Sequence, residues 1–188
     1  MLMETERLIF NFYTEKDKAD FISLFTDAAV MEHVGDGVLT REQAEAFWLK
    51  LFEKLYPQNY KIWAIFAKED SRYVGHAGVY PRLRRKEDWE FVYFLNQKSW
   101  GKGYATEIAR RIIEFAFEDL SLRETFATVD DDHSSSIHVL EKVGMKFERF
   151  EFDEDGRFSV YSIRKNGTNY FLLFLFVSFV LFVAKTSS

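Results

Sequence analysis

The stretch from Glu90 to Glu107, EFVYFLNQKSWGKGYATE, carries the spacing in this chain that most invites chemistry. Glycines stand at 101 and 103, directly before a run in which Ala105, Ile108, Ala109, Ile112, Ile113 and Ala116 recur at the period of an amphipathic helix. Glycine adopts positive φ without strain and lets a ligand approach the backbone, while the first amides of a helix find no acceptor inside it. A strand that passes through such a turn into a helix therefore offers N–H groups to an anion. Lys102 adds a positive charge beside them. The glycine spacing alone is equally that of an ordinary strand-to-helix turn. Two common phosphate motifs do not fit: a P-loop needs four residues between its first glycine and Gly-Lys, and the dinucleotide fingerprint needs a glycine where Thr106 stands.

Bulk properties narrow the field. The chain has 188 residues, no cysteine and a formal net charge of -5. Without cysteine there are no disulfides, thiolate metal sites or cysteine nucleophiles, and a reducing, cytoplasmic compartment is the expectation. The acidic balance opposes wholesale nucleic-acid binding, which draws on phosphate neutralisation. Met1 to Phe10 alternates charged and apolar residues and lacks the apolar run of a signal peptide. Asp130-Asp131-Asp132 beside His133 raises the question of a metal, but consecutive loop residues cannot all converge on one ion, so no metal site is expected. Arg82, Arg84, Arg85 and Lys86 either read an acidic group or form a solvated loop. Phe47, Trp48 and Trp63 either wall a pocket or belong to the core.

The elements that must position the glycine turn can be read from the periods. Arg7 to Tyr13 reads as a strand, and Ala19, Phe21, Ile22, Leu24, Phe25 and Ala28 form one helical stripe. Thr40 opens a second helix carrying Ala44, Phe47, Trp48, Leu51 and Leu55, with Pro57 beyond its end. Ile62 to Ala67 and Tyr73 to Tyr80 flank a polar turn and predict an antiparallel hairpin. Trp89 to Leu95 is the strand before the glycine turn, and the long helix starts just after Gly103. Thr125 to Val129 is a strand, Ser136 to Val143 a short helix closed by Gly144, and Lys146 to Phe152 with Arg157 to Ile163 a terminal strand pair. This order predicts an α/β domain with a mixed sheet of six to seven strands and helices on both faces.

The predicted domain spans 1–165, and an apolar tail occupies 166–188. The tail's run from Tyr170 to Ala184 falls short of the roughly 20 apolar residues of a bilayer span, so membrane association is not the expectation. An ordered tail packed on the domain or a partner, a short anchor and a tail without role all stay open. Asn166-Gly167-Thr168 fits a glycosylation sequon, and without a secretory signal the match is accidental.

The Glu90–Glu107 stretch resembles motif A of the GNAT superfamily of acetyltransferases, whose Gln/Arg-x-x-Gly-x-Gly/Ala holds the pyrophosphate of coenzyme A. Here Lys98 takes the first position, followed by Gly101 and Gly103, and Trp100 to Glu107 resembles the RimJ/RimL branch. Glu4-Thr5-Glu6-Arg7-Leu8 is similar to that branch's opening strand, Val74-Gly75-His76-Ala77-Gly78 to its third strand, and Ser136 to Met145 to its second cofactor-contacting helix. The resemblance covers about residues 3 to 165, and the tail has no counterpart in it.

The resemblance implies an N-acetyltransferase that moves acetyl from acetyl-CoA, used as a cosubstrate, to a primary amine by direct attack in a ternary complex. The amine belongs to a protein N-terminus or a small molecule. A non-catalytic acyl-CoA-binding module and a tail-dependent membrane-associated interaction protein are the alternatives, and the protein is expected to be a monomer or homodimer. Cofactor contacts are implied for Tyr93, Phe94, Leu95, Asn96, Lys98, Trp100, Gly101, Lys102, Gly103, Tyr104, Ala105, His133 and Ser136. Tyr93 to Asn96 would bind the pantetheine arm as an added strand would, and an amide such as that of Leu95, at a bulged strand end, would stabilise the oxyanion.

An attacking amine must be neutral, and a lysine-like amine has a pKa of about 10.4. Glu90 stands where some members of the superfamily carry a glutamate base and would act through a water. The other readings of Glu90 are a solvent-facing strand carboxylate and a salt-bridge partner for the basic loop. The sequence departs from the superfamily at two positions: His133 replaces an asparagine, and Leu140 replaces the tyrosine that protonates the leaving thiolate. Ser136 is the replacement acid, or else a helix cap. His133 would contact the pantetheine arm or sit as an exposed loop residue.

Overall fold

The computed structural model describes residues 3–32, 34, 37–82, 88–152 and 156–165. The strands are β1 (Met3–Glu4), β2 (Leu8–Asn11), β3 (Lys61–Ala67), β4 (Tyr73–Pro81), β5 (Trp89–Leu95), β6 (Glu124–Asp130), β7 (Lys146–Phe152) and β8 (Arg157–Arg164). They form one mixed sheet in the order β1-β2-β3-β4-β5-β6-β8-β7. Every neighbouring pair is antiparallel except β5 and β6. The helices are α1 (Lys18–Phe25), α2 (Ala28–Met31), α3 (Arg41–Lys50), α4 (Tyr104–Glu118) and α5 (Ser134–Lys142).

The sheet has one strand more than the six to seven expected. Met3–Glu4 pairs with β2, Met3 opposite Phe10, and two residues are too few for alternation to register. The first helical stripe is also divided. The Thr26 hydroxyl donates back to the Ile22 carbonyl at 2.8 Å, and the Asp27 side chain accepts from the Ala29 amide at 3.0 Å, so Ala28 opens α2 instead of extending α1. Thr40 caps α3 as expected, in a reciprocal pair with Gln43. Helix α5 begins at Ser134, two residues before the expected start. The helix after Gly103 and the hairpin of β3 and β4 form as expected.

Two apolar layers flank the sheet. On one face Ile108, Ala109 and Ile112 of α4 and Leu140 of α5 pack on Trp63, Ala77, Phe91 and Ala127. On the other, Phe21 and Phe25 of α1 and Trp48 of α3 pack on Ile62, Ala64 and Tyr73. Burying a large apolar side chain contributes about 1.5–3 kcal/mol, so these layers hold the sheet and helices together. Trp63 meets Phe115 edge-on at 5.1 Å, Trp48 meets Phe21 at 5.3 Å, and Phe47 packs on Phe25 at 5.2 Å. These rings are core, on opposite faces of the sheet, and form no common pocket wall.

Candidate active site

The site originates where two parallel strands part. β5 and β6 share one register pair, Glu90 with Phe126, and the Thr125 hydroxyl donates to the Trp89 carbonyl at 3.1 Å beside it. Beyond that point the strands diverge. On its other edge β5 pairs with β4 in unbroken register from Pro81 opposite Trp89 to Gly75 opposite Leu95. The expected bulge at the end of β5 is therefore absent, and the register shift in this half of the sheet falls in β3, between Ile65 and Phe66.

Antiparallel pairing sends alternate residues' backbone groups to opposite edges of a strand. The Asn96 N–H donates to the Val74 carbonyl at 3.0 Å and the Arg82 N–H to the Asp88 carbonyl at 2.8 Å, so the even-numbered residues of β5 turn to β4. Beyond the pair with Phe126, Tyr93 and Leu95 consequently turn their backbone groups into the opening. The Leu95 carbonyl is already met there by the Trp100 indole N–H at 2.8 Å. Asn96 does not join this set, since its amide side chain also donates to the Tyr73 carbonyl at 2.6 Å and closes the strand end.

After the 3-10 turn Gln97–Ser99, the chain passes Gly101 at φ 71 and Gly103 at φ 78 and enters α4. A side chain at either φ is strained, which explains the glycines. Among the described residues no acceptor meets the N–H of Gly101, Lys102 or Gly103. This is the geometry of an anion cradle at a helix N-terminus.

Turn and opening form one cleft of about 590 Å³, lined among others by Phe91 to Leu95, Trp100, Gly101, Gly103, Tyr104, Ala105, Thr128, His133 and Ser136. That volume suits a ligand of cofactor size. Lys98 and Lys102 are exposed beside the turn and do not line the cleft. Ala29, Val30 and Val34 from the α2 region wall its other side. Free amides at the turn, an unpaired strand edge and this volume together fit a diphosphate joined to an extended, amide-bearing arm, the chemistry of coenzyme A.

Glu90 lies at the root of the opening with its side chain 14% exposed. It accepts from the Thr128 hydroxyl and from Arg82 Nε at 3.2 Å. The solvent-facing reading of Glu90 is thereby overturned and the salt-bridge reading holds for Arg82, because the carboxylate is buried in an ionic cluster with Arg82 and Glu151. Burial raises its pKa, with the Thr128 and Arg82 contacts opposing and the charge of Glu151 adding to the rise. Arg82 is itself buried, donating to Glu151 at 2.8 Å and lying over the Phe126 ring. It is neither solvated nor open to an acidic ligand, while Arg84, Arg85 and Lys86 lie outside the described residues.

Ser136 is the third residue of α5, so the capping role gives way to another contact. Its hydroxyl lies 3.1 Å from that of Tyr93. Leu140, in the place of the superfamily's tyrosine, is 1% exposed in the core. His133 occupies the N-cap position of α5 and faces the cleft. Asp131 is engaged by Arg157 and Ser159, each at 2.6 Å, which explains its lowered pKa: the Ser159 hydrogen bond and then Arg157 hold the charged form. Sequence reading missed Thr128, the Tyr93 hydroxyl and the contacts of Arg7 with the glycine turn. The alternation of β6 marks Thr128 as opposite in face to Ala127 and Val129, but nothing local pairs it with Glu90.

Comparison with known proteins agrees with this geometry. Residues 7–146 match the family model of the acetyltransferase (GNAT) domain. The chain is 28% identical over 150 residues to an uncharacterized N-acetyltransferase of Bacillus subtilis, YnaD, covering 80% of this chain and 85% of the relative. A GNAT-family acetyltransferase from Bacillus anthracis superposes with a TM-score of 0.75 at 25% identity, covering 87% of this chain and 98% of its own. RimL, a ribosomal L7/L12 alpha-N-protein acetyltransferase solved with coenzyme A, shares the fold with a TM-score of 0.71 at 13% identity, covering 87% and 98%.

Proposed function

The chain belongs to the acetyltransferase (GNAT) domain family, and from that premise we propose that it moves acetyl from acetyl-CoA to a primary amine on a protein N-terminus or a small molecule. The observation that carries this reading is the parting of β5 from β6 beyond Glu90 and Phe126, beside a glycine turn whose amides have no acceptor among the described residues. A cysteine-free chain suits the cytoplasm. No helix among the described residues is long and apolar enough to cross a membrane.

Gly101, Lys102 and Gly103 hold the diphosphate through their amides, with the Lys98 and Lys102 side chains adding charge from outside the cleft. The backbone of Tyr93 and the N–H of Leu95 take the pantetheine arm as an added strand would. Glu90 accepts the proton of the amine through the Thr128 hydroxyl, which passes its own proton to the carboxylate and takes the amine's in exchange. Ser136 donates a hydrogen bond to the departing thiolate. With a thiol pKa of about 8.5, that sulfur leaves readily without a strong acid.

Calorimetry of the full chain with acetyl-CoA, followed by thiol-release assays over a panel of amines, tests the proposal. Saturable binding with amine-dependent thiol release is expected. Binding without release across the panel would reduce the protein to an acyl-CoA-binding module, and no binding would remove the assignment altogether.

A further inference from the structure

The glycine turn is braced from outside the cleft by the opposite end of the sequence. Arg7, between β1 and β2, reaches the start of α4. Its Nη1 donates to the Lys102 carbonyl at 2.9 Å, and its Nε and Nη2 meet Glu107 Oε2 at 2.7 and 2.5 Å. The Arg7 backbone N–H donates to Glu107 Oε1 at 3.0 Å, the Thr5 hydroxyl donates to the same oxygen, and the guanidinium lies 4.8 Å from the centre of the Tyr104 ring. Neither Arg7 nor Glu107 lines the cleft.

Two consequences follow from covalent geometry and charge. In a planar trans peptide the C=O and the following N–H point in opposite directions. By drawing the Lys102 carbonyl outward, Arg7 turns the Gly103 N–H the other way, toward the cleft that Gly103 lines. Glu107 stands in the first turn of α4, where its charge suits the helix dipole but competes with any anion bound at the same end. Its pKa is lowered overall: burial raises it, and the contacts from Thr5 and Arg7 outweigh that. The carboxylate is thus ionised, and Arg7 supplies the matching positive charge.

We propose that Arg7 is a positioning residue for the acyl donor, orienting the Lys102–Gly103 peptide toward the diphosphate and cancelling the Glu107 charge beside it. The inference rests on the acetyl-CoA reading, and its test separates the two. The full chain and its variants are titrated with acetyl-CoA and with acetyl-pantetheine, which has the same thioester arm and no diphosphate, and thermal melting is followed in parallel.

Arg7→Ala is expected to weaken acetyl-CoA binding about tenfold or more, as loss of a charge-assisted hydrogen bond does, and acetyl-pantetheine binding by less than about twofold. Arg7→Lys keeps the charge without the planar fork and falls between wild type and Arg7→Ala. Adding Glu107→Gln to Arg7→Ala removes the bare carboxylate and restores several-fold of the acetyl-CoA affinity. Undiminished acetyl-CoA affinity in Arg7→Ala overturns the proposal, as do equal losses for both ligands or a double variant no better than the single one. Wild-type protein that binds neither ligand removes the acetyl-CoA reading itself and this inference with it.

Discussion

The Tyr93 hydroxyl lies 3.1 Å from the Ser136 hydroxyl, joining β5 to the first turn of α5 at the lining of the cleft. A phenol from the strand therefore stands beside the serine in a protein whose helix carries Leu140 instead of tyrosine. Burial raises the Tyr93 pKa, with the Ser136 hydrogen bond opposing, so Tyr93 acts as a neutral partner that orients the serine. Tyr93→Phe and Ser136→Ala are each expected to lower kcat by about three- to tenfold, the size of one hydrogen bond. If the two act as a unit, the double variant loses little more than either single one. Steady-state thiol release measures this, and fully additive losses would break the unit apart.

Glu90→Gln is expected to lower kcat about a hundredfold while leaving the acetyl-CoA affinity unchanged, because the carboxylate meets the proton path and not the donor. Glu90 must be ionised to accept a proton, and burial has raised its pKa. The rate of wild-type protein should therefore fall as the pH drops through a value above the usual carboxylate range, and this acid limb should vanish in the variant. A pH–rate profile of kcat/KM shows both, and an unchanged limb removes Glu90 from the mechanism.

Gly103→Ala places an L side chain at φ 78, which costs about 1–2 kcal/mol. The added Cβ meets Arg7 Nη2 at 3.6 Å, an ordinary contact, so the penalty falls on the shape of the turn and not on packing. Acetyl-CoA affinity should drop about tenfold with only a modest loss of melting temperature. Gly75→Ala behaves in the opposite way. Its Cβ would lie 2.1 Å from the Phe94 carbonyl oxygen, so β4 and β5 must separate, and thermal melting should register about 1–3 kcal/mol.

His76 is 2% exposed, stacked on Phe94 and 3.0 Å from the Tyr13 hydroxyl, and burial lowers its pKa to about 3. The unfolded chain takes up this proton near pH 6.5 and the folded one only near 3. The unfolded state thus binds more protons in that window, and stability falls as the pH drops from about 6.5 toward 3, by at most about 1.4 kcal/mol per pH unit. Chemical denaturation of wild type and His76→Asn at several pH values measures the slope, which should be shallower in the variant by the histidine's share.

Much of the architecture was legible because apolar period survives without tertiary context. Trp89–Leu95 and the hairpin around Lys68 to Arg72 rest on short apolar runs bounded by polar turns, and the helix after Gly103 on a helical stripe of adequate length. The break at Thr26 and Asp27 was not legible, since a polar pair inside a stripe is also compatible with an unbroken helix. β1 escaped notice for want of length. Within the site, the glycine turn could be found from its residues, whereas Thr128 with Glu90 and Arg7 with Lys102 join positions far apart in the chain.

By itself the sequence determined the order of the longer elements, the place of the Gly101–Gly103 turn between strand and helix and the resemblance to the acetyltransferase family, all carried by residues near one another in the chain. The tertiary structure alone decided that β5 and β6 part after one register pair, that the Glu90 carboxylate is buried against Arg82 and Thr128, and that Arg7 braces the turn from outside. Strand divergence, burial and charge pairing depend on residues brought together by the packing of both sheet faces, and no local period encodes that convergence.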